Sequence, residues 1–149
     1  WRAALQGNYR FYTDTWGINA HTAGIEYTHP LWNRFIFSGS YRFYTQTGAN
    51  FWSDLFPRAN YQNFMARDKE NSPLKTHTIG LGASYDFPIQ WAGSWLKKGS
   101  ANLHINHMMV DYSKFRDLRD YPPGTATPGT EPLYALDANF LTFFLSLYF

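Results

Sequence analysis

From Leu141 to the end of the chain, every second residue is large and apolar: Leu141, Phe143, Leu145, Leu147 and Phe149. The residues between them, Thr142, Phe144, Ser146 and Tyr148, are mixed. Strand side chains alternate between two faces, whereas a helix would scatter such a set around its surface. The segment YALDANFLTFFLSLYF therefore reads as a strand with one wholly apolar face. That face either packs on the core of a soluble sandwich or meets lipid.

Earlier segments follow the same rule. His77, Ile79, Leu81, Ala83, Tyr85 and Phe87 share one face, with Thr76, Thr78, Gly80, Gly82, Ser84 and Asp86 opposite. Ala101, Leu103, Ile105 and Met109 oppose Asn102, His104 and Asn106, while Ala23, Ile25 and Tyr27 oppose Thr22, Gly24, Glu26 and Thr28. One stretch is written twice: YRFYTDT from Tyr9 and YRFYTQT from Tyr41 differ at a single position. In each copy a Tyr–Phe–Thr face (Tyr9, Phe11, Thr13; Tyr41, Phe43, Thr45) lies opposite an Arg–Tyr face (Arg10, Tyr12; Arg42, Tyr44). Six strands result, at about 3–13, 18–29, 34–47, 74–87, 100–113 and 134–149.

Aromatic residues make up 20% and charged residues only 16%, yet mean hydropathy is −0.44. Two kinds of surface interleaved residue by residue satisfy all three values. No stretch approaches the ~18 uninterrupted apolar residues of a membrane helix, but several strands reach the ~9–11 residues that cross a bilayer at a tilt. Apolar-out, polar-in strands with aromatic belts are the pattern of a transmembrane barrel. The expected fold is all-β, an antiparallel transmembrane β-barrel. A formal charge of +2 makes no case for nucleic acid. The absence of cysteine excludes disulfides and thiolate metal sites.

The terminal Phe149 with its alternating Phe143, Leu145 and Leu147 resembles the last strand of bacterial outer-membrane barrels. That resemblance implies recognition by the barrel-assembly machinery and a periplasmic C-terminus. The last strand then runs downwards and its neighbours alternate. Thr15–Trp16–Gly17 becomes a tight external turn, residues 29–34 (HPLWNR) and 87–99 periplasmic turns, and residues 48–73 and 116–132 long external loops. Pro122, Pro123, Gly124, Pro128 and Gly129 mark the last loop as irregular. Six strands are too few to close a barrel, since known single-chain barrels start at about 8. With a first residue Trp1 and no signal peptide, the expectation is the C-terminal portion, 1–149, of one larger barrel domain; a barrel shared between copies is the alternative.

YRFYTDTWGINAHTAGIEYTHPL, YRFYTQTGANFW, RDKENSPLKTHTIGLG, YSKFRDL and the final strand occur in this order. Together they resemble an uncharacterised family of bacterial outer-membrane proteins known as a domain of unknown function. The resemblance runs over nearly the whole chain and implies a barrel in the bacterial outer membrane. It supplies no activity, cofactor or catalytic residue.

On this reading Tyr9, Phe11, Tyr41 and Phe43 face lipid near the external interface. Arg10, Arg42, Tyr12, Tyr44 and Glu26 face the lumen, because a charge on the lipid face costs ~2–4 kcal/mol at mid-depth. If the first two hairpins close about Trp16 and Trp32, both arginines flank Thr22, and Glu26 is a partner for one of them. The repeat is explained by two strands meeting the same solvent boundary, or by an arginine-lined lumen that selects anions or an acidic partner. Arg67, Asp68, Lys69 and Glu70, with Arg116, Asp117, Arg119 and Asp120, form charge clusters at the external rim. They tie loops together through ion pairs, or contact lipopolysaccharide phosphates. His104 and His107 point to opposite faces and make no metal pair. His21 and His77 open two similar strands, and Gly80 and Gly82 leave room for a plug or for bulky neighbours. No nucleophile, paired carboxylates, metal site or cofactor motif is visible, so the chain is not expected to be an enzyme. Its expected partners are outer-membrane lipid, lipopolysaccharide, the assembly machinery and a protein partner or plug. The expected function is a pore for small solutes. The alternative is a scaffold sheathing a lipoprotein, an electron-carrier protein or a surface filament, with Tyr12, Tyr44, Phe140 and Phe144 facing inwards.

Overall fold

The computed structural model describes residues 2–89, 95–122, 125, 127 and 129–149. Pro123, Gly124 and Pro128 of the expected irregular loop, and 90–94 of the expected periplasmic turn, lie outside the described residues. Six strands form one antiparallel sheet: β1 (Ala4–Thr13), β2 (Asn19–Leu31), β3 (Phe35–Gln46), β4 (Leu74–Pro88), β5 (Lys98–Arg116) and β6 (Leu133–Tyr148). Each strand pairs with the next in sequence order, so β1 and β6 are the two edges and the sheet is not closed. Among the described residues the only helical element is a short 3-10 turn, Lys69–Asn71.

Up to the slip near the end of β5, register keeps odd-numbered residues on one face and even-numbered residues on the other; beyond it Phe115 joins the even side. This follows from pairing partners whose numbers sum to an even value, and from a side-chain period of two. The odd face carries Leu5, Ile25, Phe37, Ile79, Leu81, Leu103, Ile105, Leu141, Phe143 and Leu145, all exposed. The even face is lined mainly by Ser, Thr, Asn, Gly and Arg. The buried cluster Leu74, Val110 and Tyr112, with Tyr44, Met108, Phe115 and Tyr134 packed against it, also belongs to the even side. It sits at one end of the sheet, beneath residues 69–72, and Ser72 is fully buried there.

Connections explain the register. Asp14 closes the β1–β2 turn: its Oδ1 accepts from the backbone N–H of Trp16 (2.9 Å) and Ile18 (3.0 Å), and Gly17 takes φ +85. The β2–β3 turn has three residues, Trp32, Asn33 and Arg34, the first two with φ +48 and +60. Its centre is Asn33, one residue beyond the expected Trp32. Pairing therefore shifts by two: Arg10 opposes Thr22 as expected, but Arg42 opposes Gly24, and Tyr44 takes the place beside Thr22. The β3–β4 connection, residues 47–73, folds back onto the even side. Gln46 Nε2 donates to the carbonyls of Glu70 and Ser72, both at 2.8 Å. β5 runs three residues past the expected boundary because its register slips between Asp111 and Arg116. Such a bulge re-aims the strand end.

Candidate functional site

The even face is built in rows that run across the strands. Arg10, Thr22, Tyr44, Thr76 and Val110 form one; Asn8, Gly24, Arg42, Thr78 and Met108 the next; Gln6, Glu26, Ser40, Gly80 and Asn106 the third. Arg10, Tyr12 and Tyr44 meet Ala20 and Thr22 around a recess of about 140 Å³. Glu26 lies in the row below Arg42 and two below Arg10. The expected pairing of Glu26 with an arginine is not formed: among the described residues, ion pairs join only Arg67 and Arg116 to Asp54, and Arg119 to Asp117. Glu26 stands instead between Gln6 and Ser40, so the two-residue shift of β3 brings a hydroxyl, not a guanidinium, opposite it.

On the odd face the repeated motif builds the same object twice. Tyr9 Oη lies 2.6 Å from His21 Nδ1, and Tyr41 Oη lies 2.7 Å from His77 Nδ1. Phe11 packs on His21 with ring centroids 5.0 Å apart, and Phe43 on His77 at 5.1 Å. His21 and His77 are thus the cross-strand partners of the two motif copies. His107 pairs with Asn139 at 2.9 Å on the same face, while His104 lies on the other, stacked on Phe144.

At the end of the sheet near the long loops, one carboxylate organises the charges. Asp54 accepts from Arg67 Nη2 at 3.0 Å and from the Arg116 backbone N–H at 3.1 Å, with Arg116 Nε at 3.8 Å. Arg67 Nη2 also donates to the Arg116 carbonyl, and Arg116 Nη1 to the Glu131 carbonyl. This ties residues 54–67 to the end of β5 and the start of β6. Asp54 sits in an irregular stretch with no period to mark it, which is why it was not among the expected residues. Arg67 stacks over Phe115, and Lys69 and Arg119 over Tyr134. Arg119 grips Asp117 with Nη2–Oδ2 at 2.6 Å, and its hydrogen bonds hold the Asp117 carboxyl down to about 2. Asp68, Glu70 and Asp120 form no ion pair among the described residues.

Phe143, Leu145 and Leu147 project from the odd face of β6, and Phe149, which follows that strand, is 86% exposed. No group of metal-ligating side chains occurs among the described residues. Among the described residues no helix is long and apolar enough to cross a membrane.

A comparison with known families matches residues 2–98 to the family described as a protein of unknown function, DUF3570. The match ends where β5 begins, so YSKFRDL and the last strand lie beyond it, and the resemblance covers less of the chain than expected from its motifs. No curated protein matches. No solved structure matches. With well over half of its residues matched, the chain belongs to the DUF3570 family.

Proposed function

We propose that this chain forms wall of a bacterial outer-membrane β-barrel that serves as a pore for small solutes. One observation carries the reading: a single-layer sheet whose odd face exposes large apolar side chains across its middle, at Ile25, Ile79, Leu81, Leu103, Ile105 and Leu141, and whose even face carries mainly small and polar residues there. Leu81 is 65% exposed and Leu141 72%, in the middle of their strands. A contiguous apolar surface of that extent is unstable in water and demands a cover. Lipid covers it without a second layer, and the polar face then lines an aqueous lumen. The free edges of β1 and β6 must be paired inside a membrane, since each unsatisfied backbone group there costs several kcal/mol. Further strands, of the same polypeptide or of another copy, complete the ring.

Orientation follows from the connections. Residues 47–73 and 117–132 leave the same end of the sheet, which is the external end in a barrel with short periplasmic turns. The loop carrying Asp54 and Arg67 then narrows the external mouth from the even side. Lipopolysaccharide and the assembly machinery are the partners of such a barrel.

A second reading is a barrel that holds a protein or plug. Phe140 and Phe144 favour it, because they project large rings, 49% and 46% exposed, from the even face of β6, where Leu136 is exposed as well. Single-channel recording of the full-length protein in planar bilayers separates the two. Stepwise ohmic conductance supports the pore. A sealed membrane at protein densities that insert fully sinks it and leaves the partner-holding barrel.

A further inference from the structure

The even face holds a built polar cleft between β3, β4 and β5. Its floor is Gly80 and Gly82, both buried. A Cβ on Gly80 would collide with Ser40 Oγ and Asn106 Oδ1, and one on Gly82 with Ser38 Oγ and His104 Nδ1. Four polar atoms therefore converge over a strip of bare backbone, two from each neighbouring strand. None of these four side chains hydrogen bonds to another group among the described residues. The next polar group along the face behaves differently, since Ser84, Asn102 and Ser100 hydrogen bond to one another. His104 is held flat by Phe144, with ring planes 4° apart. The cleft has a volume of about 230 Å³, and Glu26 closes one end of it.

Hydroxyl, amide and imidazole groups that each donate and accept match a solute rich in hydroxyls, which also does both. Charge selects against other solutes. Glu26, the charged residue lining the cleft, disfavours anions, and Arg42, one row away beside Thr78, offsets the pull of that carboxylate on cations. We propose that the Gly80–Gly82 cleft is a binding site for a neutral, polyhydroxylated small molecule such as a hexose or hexitol. This rests on the reading of the even face as the water-lined side of a barrel, and it names the solute class for that lumen.

The test uses the full-length protein, folded in detergent, with glucose and glucitol as probes and saturation-transfer NMR as the readout. The expected result is binding of at least one probe, weakened at least tenfold in His104→Ala and in Gly80→Ala, with acetate and choline giving no transfer. Ser40→Ala, which removes one hydroxyl and adds no bulk, is expected to weaken binding severalfold and serves if Gly80→Ala does not fold. No transfer to either sugar probe, or transfer unchanged in His104→Ala and Ser40→Ala, overturns the proposal. So does stronger transfer to acetate or choline. Ser40→Cys, labelled by a membrane-impermeant maleimide in reconstituted protein, tests the underlying reading separately. Labelling without sugar binding removes the solute class and keeps the lumen, whereas no labelling removes both.

Discussion

The β1–β2 and β3–β4 hairpins are two versions of one design. Arg10 opposes Thr22 and Arg42 opposes Thr78; Phe11 opposes His21 and Phe43 opposes His77; Asn8 lies over Gly24 and Ser40 over Gly80. The Tyr–His–Phe clusters match to within 0.1 Å in both the hydrogen bond and the Phe–His separation. The one difference within the repeated heptads is Asp14 against Gln46, and it decides how each hairpin ends. The short Asp14 carboxylate reaches the next backbone N–H groups and closes a tight turn. The longer Gln46 has an NH₂ to donate and reaches the returning limb of a long loop. Both still accept from the tyrosine two residues earlier, Tyr12 or Tyr44. The repeat is thus a strand and face specification, and its variable position is a turn instruction.

Neighbours explain the rest of the difference. β1 is an edge, so Tyr12 stays 44% exposed. β3 is interior and covered by residues 69–72, so Tyr44 packs against Leu74, Val110 and Tyr112.

If the two hairpins are equivalent in a membrane, equivalent apolar positions respond alike. Ile25 and Leu81 follow HTAG and HTIG. Ile25→Arg and Leu81→Arg are each expected to destabilise the folded protein by about 2–4 kcal/mol, measured by urea unfolding in lipid bilayers. Costs under about 1 kcal/mol at both would place the odd face in water. At the turns the hairpins should part. Gln46→Ala removes two hydrogen bonds to the returning loop and is expected to cost about 2 kcal/mol in the same assay, with faster proteolysis at residues 55–64. Asp14→Ala also removes two hydrogen bonds, at the first turn, and is expected to cost about 1–2 kcal/mol, leaving proteolysis at residues 55–64 unchanged. Accelerated cleavage by Asp14→Ala would deny the division of labour between the two positions. The smallest effect lies at the rim. The Asp117 carboxyl, held to about 2 from an ordinary 3.8, is favoured by folding. Its contribution is in full above the ordinary value and is lost as pH falls through about 2. The Asp117–Arg119 contact should therefore persist at pH 3.5, and the carboxyl carbon shift in NMR should titrate only near 2.

Strand positions were legible because period two survives in nearly every segment: all six strands appear within about three residues of their expected bounds. Face assignment was legible for the same reason, since one slip would have inverted every side chain. The register of β3 was not, because turn length, not strand pattern, sets it. Trp32 and Asn33 both adopt left-handed backbone, which the sequence HPLWNR does not advertise. The pairing of Glu26 failed with it. Asp54 was hidden in a loop without periodicity, and the cleft over Gly80 and Gly82 required the β3 register that put Ser38 and Ser40 beside them.

The most direct test is cysteine-accessibility scanning along β4, in a full-length background from which any cysteine outside this chain has been removed; the chain itself has none. Single cysteines at positions 76–79, 81, 83 and 84 of the full-length protein in native outer membranes would be exposed to a membrane-impermeant maleimide, Gly80 and Gly82 being left intact because a Cβ there collides with neighbouring side chains. Labelling at Thr76, Thr78 and Ser84 with protection at His77, Ile79, Leu81 and Ala83 is the predicted result. Uniform labelling, or labelling of the odd positions alone, would contradict a sheet with lipid on its odd face and water on its even face.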